Sequence, residues 1–234
     1  SVLALAVGLG VFSQLHQPAI YTAEFSTAPG ERQQVALPDG SVIDLNSRSR
    51  VQVRYEQDRR RIELMQGEAM FSVEHDSDRP FVVEAGSGKV TVTGTRFDVR
   101  RDVSETRVVV EQGTVKVQGR DAADNEFISL TAGLGTRVDT RGKVATAYAV
   151  NPAELTAWRS GKLVFNNASL RDVAEEVSRY REKPLTVSND KVGNLRLTSV
   201  FKSDNTDALL KALPSILPVA VRTLDDGSQQ IISK

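Results

Sequence analysis

Few side chains in this sequence could perform nucleophilic or acid–base chemistry. The 234 residues contain no cysteine and two histidines, His16 and His75, which are far apart along the chain. The lack of cysteine excludes disulfides, thiolate catalysis and cysteine-bound zinc. A catalytic triad or a histidine-rich metal site would need His75, but VEHDSDRP is a polar stretch typical of a turn, where a solvated histidine is expected. We predict no metal site and no cofactor.

Two glycine-containing segments resemble nucleotide-binding motifs only superficially. The P-loop has a glycine five places before its Gly-Lys pair and a Ser or Thr directly after the lysine. In GSGKVT those positions hold Val83 and Val90. GLGTRV lacks the third glycine of the dinucleotide fingerprint and follows no βαβ unit. Both segments are therefore interpreted as turns.

The charged clusters indicate solvated surface. The acidic pairs Asp225–Asp226 and Glu175–Glu176 fall on a predicted turn and a predicted helix surface, whereas paired acid–base catalysts need burial and different environments. DRRR, residues 58–61, is a short basic run typical of a turn. Thirty basic residues balance thirty acidic ones, which argues against a nucleic-acid surface. We expect neither an enzyme nor a nucleic-acid-binding protein.

One segment, VTVTGTRFDVR at residues 90–100, raises a local question of chemistry. Apolar side chains alternate with polar ones, as in a half-buried strand, at Val90, Val92, Phe97 and Val99. Between them Gly94 and Thr95 displace the alternation by one place, as at a β-bulge. The pattern leaves open whether this pair is a kink in a structural strand or a reactive site.

The chain begins with an apolar, uncharged run over residues 1–15. This run is shorter than the roughly 20 residues of a spanning helix, and no basic region precedes it. We interpret it as the end of a transmembrane helix. The alternative is a buried N-terminal strand or helix.

Residues 16–150 read as a succession of short strands. Alternating runs are separated by turn signals such as Pro38-Asp39-Gly40, and no helical period persists for two turns. This pattern predicts a mainly β domain, either a sandwich or stacked, solenoid-like layers. The equal spacing of Gly40, Gly67 and Gly94 favours stacked layers.

The pattern changes after residue 150. Residues 151–161 are predicted to form a linker with a short helix, in which Trp158, the only tryptophan, would anchor one domain on the other. Residues 162–234 predict the order βαβ-βαββ, a small α+β domain. Its first helix should be capped by Ser169, and its second should end near Pro214.

Taken together, these motifs resemble the FecR family of anti-sigma regulators. LPDGSVIDLNSRSRVQV resembles the family's opening signature, and LMQGEAMFSVEHDSDRPFVVEAGSGKVTVTGTRFDVR resembles its central one. VVVEQGTVKV continues the likeness. AWRSGKLVFNNASLRDVAEEVSRYREKPLTVSN resembles the C-terminal portion, followed by a module similar to the short N-terminal domain of secretins and TonB-dependent receptors. The resemblance covers nearly the whole chain after the apolar start.

The resemblance implies a cellular setting. Family members cross the bacterial inner membrane once, and the region that follows the apolar run would lie in the periplasm. They hold an extracytoplasmic-function sigma factor through a short cytoplasmic segment, which we do not find in this sequence. The sensing region responds to the signalling domain of an outer-membrane TonB-dependent siderophore transporter. Periplasmic and intramembrane proteases are further implied partners.

The resemblance also gives the Gly94–Thr95 pair a candidate reaction. Some members resemble proteins that cleave themselves between this glycine and threonine by an N–O acyl shift. The Thr95 hydroxyl would be the nucleophile, Gly94 would tolerate a bent backbone, and the resulting ester would be hydrolysed. A β-bulge without chemistry is the alternative, and the two are compatible.

A transporter domain of similar fold could bind by edge-strand addition. The candidate edges are residues 195–202 and 219–225, unless these strands are internal. The predicted partner-binding residues are Leu195, Leu197, Val200, Val219, Val221 and Trp158. The alternative function is a non-signalling periplasmic domain that binds a ligand or the cell wall. That function would require exposed aromatic side chains, whereas we expect Phe71, Phe81 and Phe97 in the core.

Overall fold

A computed structural model describes residues 19–123 and 125–234, and within them a β domain contains thirteen strands of one sheet. The strands are β1 Tyr21–Ser26, β2 Gln33–Ala36, β3 Val42–Leu45, β4 Arg50–Tyr55, β5 Arg60–Ser72, β6 Phe81–Ala85, β7 Gly88–Val92, β8 Arg96–Arg101, β9 Glu105–Gln112, β10 Thr114–Gly119, β11 Ile128–Thr131, β12 Leu134–Asp139 and β13 Tyr148–Ala149. The predicted end of a transmembrane helix at residues 1–15, like His16, lies outside the described residues. Within the described ranges no helix has the length and hydropathy of a membrane span.

The long strand β5 divides the sheet into two layers. Its first half pairs with β4 and β6, and its second half pairs with β3 and β8. Layer 1 therefore has the order β1-β4-β5-β6-β7-β10-β11, and layer 2 has the order β2-β3-β5-β8-β9-β12-β13. Buried side chains from both layers pack together in one hydrophobic cluster. The sheet curls around this shared core. This architecture confirms the predicted mainly β domain.

Three phenylalanines join the layers at the centre of this core. Phe71 stacks on Phe97 with 5.3 Å between ring centroids, and its ring meets Phe81 edge-on at 6.0 Å. All three are fully buried, as expected from the sequence.

Gly67 lies where β5 passes from one layer to the other. Its φ is 87°, in the left-handed region that disfavours a side chain. A Cβ at this position would lie 2.4 Å from Ser49 Oγ, 2.6 Å from Ser49 Cα and 2.7 Å from the Arg48 carbonyl oxygen. Both the dihedral angle and the close backbone approach therefore require glycine.

The segment over residues 90–100, predicted as one strand with a kink or β-bulge at Gly94, is divided between two strands. Strand β7 ends at Val92 in layer 1 and β8 begins at Arg96 in layer 2, so residues 93–95 cross between the layers. The register irregularity lies between Arg96 and Phe97, opposite β9, and not at Gly94. A shift of the apolar alternation by one residue is expected both at a β-bulge and at a crossing between layers. The sequence pattern alone therefore could not distinguish the two.

The C-terminal part is the predicted small α+β domain. Two short helices lead into it: α1, Pro152–Leu155, and a 3₁₀ helix, Ala157–Ser160. Its elements are β14 Lys162–Ser169, α2 Leu170–Ser178, β15 Leu185–Val187, α3 Asp190–Gly193, β16 Arg196–Lys202, α4 Thr206–Ile216, β17 Val219–Thr223 and β18 Gln229–Ser233. Strands β14 and β16 form one small sheet, and β15, β18 and β17 form another in that order. We call residues 162–234 the module.

Local sequence signals explain most of the module's boundaries. Ser169 caps α2 by accepting a hydrogen bond from the Asp172 backbone N–H at 3.1 Å, as predicted. The prediction that α4 ends at Pro214 is wrong, because the helix continues to Ile216. A proline in the last turn removes a single donor, and the Leu217 N–H still bonds the Leu213 carbonyl oxygen at 2.9 Å.

Replacing Gly67 with alanine should destabilise the protein by about 3 kcal/mol, because strain and a backbone clash add together. Gly133→Ala is the matched control: φ at Gly133 is 82°, but no atom lies within 4 Å of the added Cβ. That variant should lose about 1 kcal/mol, from strain alone. Urea denaturation measures both values. Equal losses would contradict the close-approach argument.

Candidate functional site

The Gly94–Thr95 peptide is held on two sides by neighbouring backbone. On one side, the Val73 N–H donates to the Thr95 carbonyl oxygen at 2.9 Å and the Asp76 N–H donates to the Thr93 carbonyl oxygen at 2.8 Å. On the other side lies Gly113, where a Cβ would stand 2.7 Å from Thr95 Cγ2 and 3.4 Å from the Gly94 carbonyl oxygen. The crossing between layers is therefore tightly confined.

Glycine is required at position 94 because a side chain there would collide with a neighbouring residue. The φ of Gly94 is not positive, so φ does not by itself require glycine here. A Cβ at Gly94 would instead lie 2.9 Å from each of three atoms of His75: Cα, Cβ and Nδ1. His75 is exposed, as predicted, and lies directly against the glycine.

The Thr95 side chain is confined on its buried side. The residue is 7% exposed, and its Oγ1 is buried without a hydrogen-bond partner in the part of the chain that the structure describes. A buried hydroxyl without a partner costs about 1–3 kcal/mol. The hydroxyl is therefore neither solvated nor engaged by another group.

Both candidate edge strands of the module lie at sheet edges. Among the described strands, β16 pairs only with β14, and β17 only with β18. Val200 on β16 is 57% exposed. Leu195 and Val221 are half-buried, while Leu197 and Val219 belong to the module's core. Among these apolar residues, Val200 therefore presents the most surface to a partner.

Trp158 lies between the two domains. It is 4% exposed, and Arg32 of the β domain donates a hydrogen bond to its carbonyl oxygen at 2.7 Å. The adjacent Arg159 forms a salt bridge with Asp44 at 2.9 Å. The indole is buried at the junction and does not face a potential partner at the surface.

The junction covers the outer face of layer 2. Met70, Asp98 and Val109 are neighbours across β5, β8 and β9, and they alternate with side chains of the domain core. All three are buried although none belongs to the core cluster. The next row across the same face is polar and includes Glu68, Arg100 and Arg107.

Glu68 is the centre of this polar row. Its side chain is 2% exposed. Asn46 Nδ2 donates to Oε2 at 2.6 Å, and Arg107 Nη2 donates to Oε1 at 2.9 Å. From the module, Arg179 Nη2 approaches Oε2 at 3.5 Å, and the Tyr180 hydroxyl donates to Asn46 Oδ1 at 3.0 Å. A carboxylate of the β domain is thus paired partly by the module.

A second set of contacts extends this pairing. Arg100 Nη1 bonds Glu176 Oε2 at 2.5 Å, and Arg179 Nη1 lies 3.3 Å from Asp102 Oδ1. Ser47 Oγ donates to the Arg179 carbonyl oxygen at 2.6 Å. We call these residues and the Glu68 group the junction network: Asn46, Ser47, Glu68, Arg100, Asp102, Arg107, Glu176, Arg179 and Tyr180.

The pKa values of two buried carboxyls at the junction are shifted in opposite directions. Burial alone would raise the pKa of Glu68, but the charges of Arg179, Arg100 and Arg107 outweigh it and hold that pKa below its usual value. Asp98 has no hydrogen-bond partner for either oxygen within residues 19–123 and 125–234. Its burial, reinforced by the negative charge of Glu68, raises its pKa well above the ordinary value. The surroundings thus stabilise the charged form of Glu68 and the neutral form of Asp98.

A half-open pocket of about 320 Å³ lies at the junction. Its lining includes Glu68, Arg107, Trp158, Phe165 and Glu176, so that charges of both signs meet apolar side chains. Across the described parts of the chain, no group of three or more acidic or histidine side chains is placed to hold a metal ion.

The sequence reasoning missed the junction network. The available signal was Glu68, a charged residue beside the apolar residues of the strand segment GEAMF. A glutamate on the outer face of a sheet is normally solvated, so its place in an apolar segment could have indicated a buried charge. Its arginine partners lie 39 and 111 positions away. No local pattern connects them.

Two family models match the chain. The model described as FecR protein matches residues 23–116, and the one described as FecR, C-terminal, matches residues 162–232. No curated protein matches the sequence.

Two crystal structures of a proposed anti-sigma factor from Parabacteroides distasonis ATCC 8503 resemble the whole fold. Each has a TM-score of 0.77 and 24% sequence identity. The matches cover 92% and 91% of this chain and 100% and 99% of the other. At this identity the likeness establishes a shared fold and no more.

Asp98→Asn should stabilise the protein increasingly as pH rises. The pKa of Asp98 is higher in the folded protein than its unfolded value of 3.8. Below pH 3.8 the carboxyl is protonated in both states, and its contribution to the free energy of unfolding is fully present. That contribution is lost as the pH rises through the folded-state pKa. Asparagine cannot ionise and escapes this loss. Urea denaturation of both proteins from pH 4 to about pH 8 should show a widening difference in favour of the variant.

Asp58→Asn is the control, because Asp58 lies on the surface, and its effect should be small and nearly constant over this pH range. A stability difference at Asp98 that is constant or shrinks with rising pH would contradict a raised pKa of this carboxyl.

Proposed function

Because the chain belongs to the FecR family of anti-sigma regulators, we propose that it forms the periplasmic sensing region of a single-span inner-membrane protein. Family membership implies a sigma factor as a partner and a regulator that is not in general an enzyme. In the proposal, the module binds the signalling domain of a TonB-dependent siderophore transporter. The signal then passes to a cytoplasmic extracytoplasmic-function sigma factor. The open edge of β16, with its exposed Val200, is the observation that carries this proposal.

Strand β16 suits an added partner strand better than β17 does. Val200 faces Val164 across the β14–β16 pair, and Val164 is half-buried, so an apolar cross-strand pair is partly exposed beside an open edge. Arg196 and Lys202, at the two ends of β16, are exposed. A strand with apolar and acidic side chains would complement this edge.

The junction network offers a route from the module to the Gly94–Thr95 bond. Glu68 lies on β5, whose chain continues into residues 73–76 beside Gly94. Arg100 lies on β8, which begins one residue after Thr95. The two strands that frame the bond therefore carry the side chains that pair with the module. A partner that displaced the module would change the forces on both strands.

Self-cleavage between Gly94 and Thr95 forms part of the proposal. The unengaged Thr95 hydroxyl is the nucleophile for the Gly94 carbonyl carbon, and hydrolysis of the resulting ester completes the break. The two fragments would stay together, because β8 is paired on both sides, with β5 and β9. Cleavage would thus prepare the protein for a later separation without unfolding it.

The alternative, a non-signalling domain that binds a ligand or the cell wall, has little support. Such a site would use exposed aromatic side chains in a groove, whereas Phe71, Phe81 and Phe97 are fully buried. No specific observation favours this function over the sensing role.

Substitutions at Thr95 test cleavage without disturbing the fold. Thr95→Val keeps the shape but removes the hydroxyl, so it should abolish the fragments. It should also leave stability equal or higher, because an unpartnered buried hydroxyl is lost. Thr95→Ser should retain cleavage. Denaturing electrophoresis and intact mass determine the result, and a single full-length band from the parent protein would refute self-cleavage.

Val200→Glu tests the proposed docking edge. An added negative charge at this exposed position should weaken binding of the transporter's signalling domain at least about tenfold, with little effect on stability. Ile216→Glu, at a 50% exposed position at the end of α4, should leave binding unchanged. Titration calorimetry with the full chain measures both. Unaltered binding by Val200→Glu would place the interface elsewhere.

A further inference from the structure

We propose that His75 is the catalytic base that activates water for hydrolysis of the Gly94 ester, an inference that rests on the proposed self-cleavage. His75 is the only histidine in the part of the chain that the structure describes. Neither composition nor the polar stretch around it indicates such a role. Two structural features assign it to His75: the position of this residue against Gly94 and the different surroundings of the two sides of the bond.

The position of His75 is set by backbone hydrogen bonds on both sides of it. Val73 and Asp76 donate to the carbonyl oxygens of Thr95 and Thr93, so residues 73–76 run beside the scissile peptide like a short extra strand. His75 lies between these bonds, and its Nδ1 is one of the three atoms that exclude a Cβ at Gly94. A general base acts either directly or through one water molecule, and this approach permits both.

A buried arginine fixes the backbone on both sides of His75. Arg60 is 0% exposed and donates to the carbonyl oxygens of Glu74 at 3.0 Å and Arg79 at 2.8 Å. Its charge is paired by Asp39 at 2.6 Å. A fully buried guanidinium that bonds backbone oxygens immobilises the chain around His75. The imidazole is therefore carried by a fixed backbone, as a catalytic group requires.

The two sides of the scissile bond differ in their access to water. Thr95 Oγ1 is buried, and Gly113 packs against Cγ2 of the same side chain. The acyl shift needs no water at this buried position. Hydrolysis does need water, and His75 lies on the exposed side. The structure thus separates the two steps: Thr95 performs the shift, and His75 serves the hydrolysis.

The chemical steps balance without a further reactant except water. In the shift, the bond from the Gly94 carbonyl carbon to the Thr95 nitrogen breaks, a bond to Oγ1 forms, and the hydroxyl proton ends on the nitrogen. Water then attacks the same carbon while His75 accepts one of its protons. The ester bond breaks, and the imidazolium returns the proton to Oγ1. The proton that remains on the new Gly94 carboxyl group passes to the Thr95 amine. The products are therefore a Gly94 carboxylate and a Thr95 with an ammonium group and a free hydroxyl group.

The test uses the full chain with His75→Gln, which retains the Cα and Cβ that contact Gly94. Fragment formation, followed by denaturing electrophoresis, should slow at least about a hundredfold, the usual contribution of a general base. Hydroxylamine added to the folded variant at neutral pH should restore cleavage, because it attacks an ester without a base. The N-terminal fragment should then carry a Gly94 hydroxamate by mass.

Control variants separate catalysis from folding. Ser77→Ala, in the same exposed segment, should cleave at the parental rate, and Thr95→Val should give no fragments even with hydroxylamine. Cleavage of His75→Gln at the parental rate would overturn the role of His75 while leaving self-cleavage intact. Failure of hydroxylamine to restore cleavage would also overturn it, because His75 would then act before the ester forms. An uncleaved parent protein would remove both proposals.

Discussion

The burial of Glu68 between the two domains is the constraint on which the rest of the structure depends. A carboxylate removed from water is strongly unfavourable unless charges and hydrogen bonds surround it. Asn46, Arg100 and Arg107 supply part of that environment from the β domain, and Arg179 contributes from the module. The negative charge of Glu68 in turn adds to the effect of burial in raising the pKa of nearby Asp98. The module is therefore part of the electrostatic environment of the β domain.

This constraint connects the proposed binding surface with the proposed reaction. The edge of β16 lies on the module, and the Gly94–Thr95 bond lies where β7 passes to β8. Between them stand β5 and β8, which carry Glu68 and Arg100. A buried charge network is stable when all its charges are paired, and a partly paired state is unfavourable because it leaves a charge without compensation. The junction should therefore change between distinct states and not gradually. Such a junction suits a protein that must report the arrival of a partner.

The sequence predicts those features that local patterns determine. The helical period and Ser169 define the start and buried face of α2, and turn residues such as Pro38-Asp39-Gly40 define the hairpins. The crossing at residues 93–95 could not be predicted from the sequence. The alternation of apolar and polar residues indicates which side chains face the core, but it does not indicate the layer to which a strand belongs. The network around Glu68 was missed because its partners are distant in sequence. The contact of His75 with Gly94 likewise arises only when β5 and the crossing are side by side.

The most direct test of this account is a double-mutant cycle between Glu68 and Arg179, measured by urea denaturation of the full chain. Glu68→Gln and Arg179→Met remove the two charges singly and together. We expect a coupling energy of about 1 kcal/mol or more between the two side chains. The same cycle at the exposed pair Asp58 and Arg59 should give a coupling energy close to zero. Additive effects of the Glu68 and Arg179 substitutions, within about 0.3 kcal/mol, would contradict the claim that this buried pair joins the two domains.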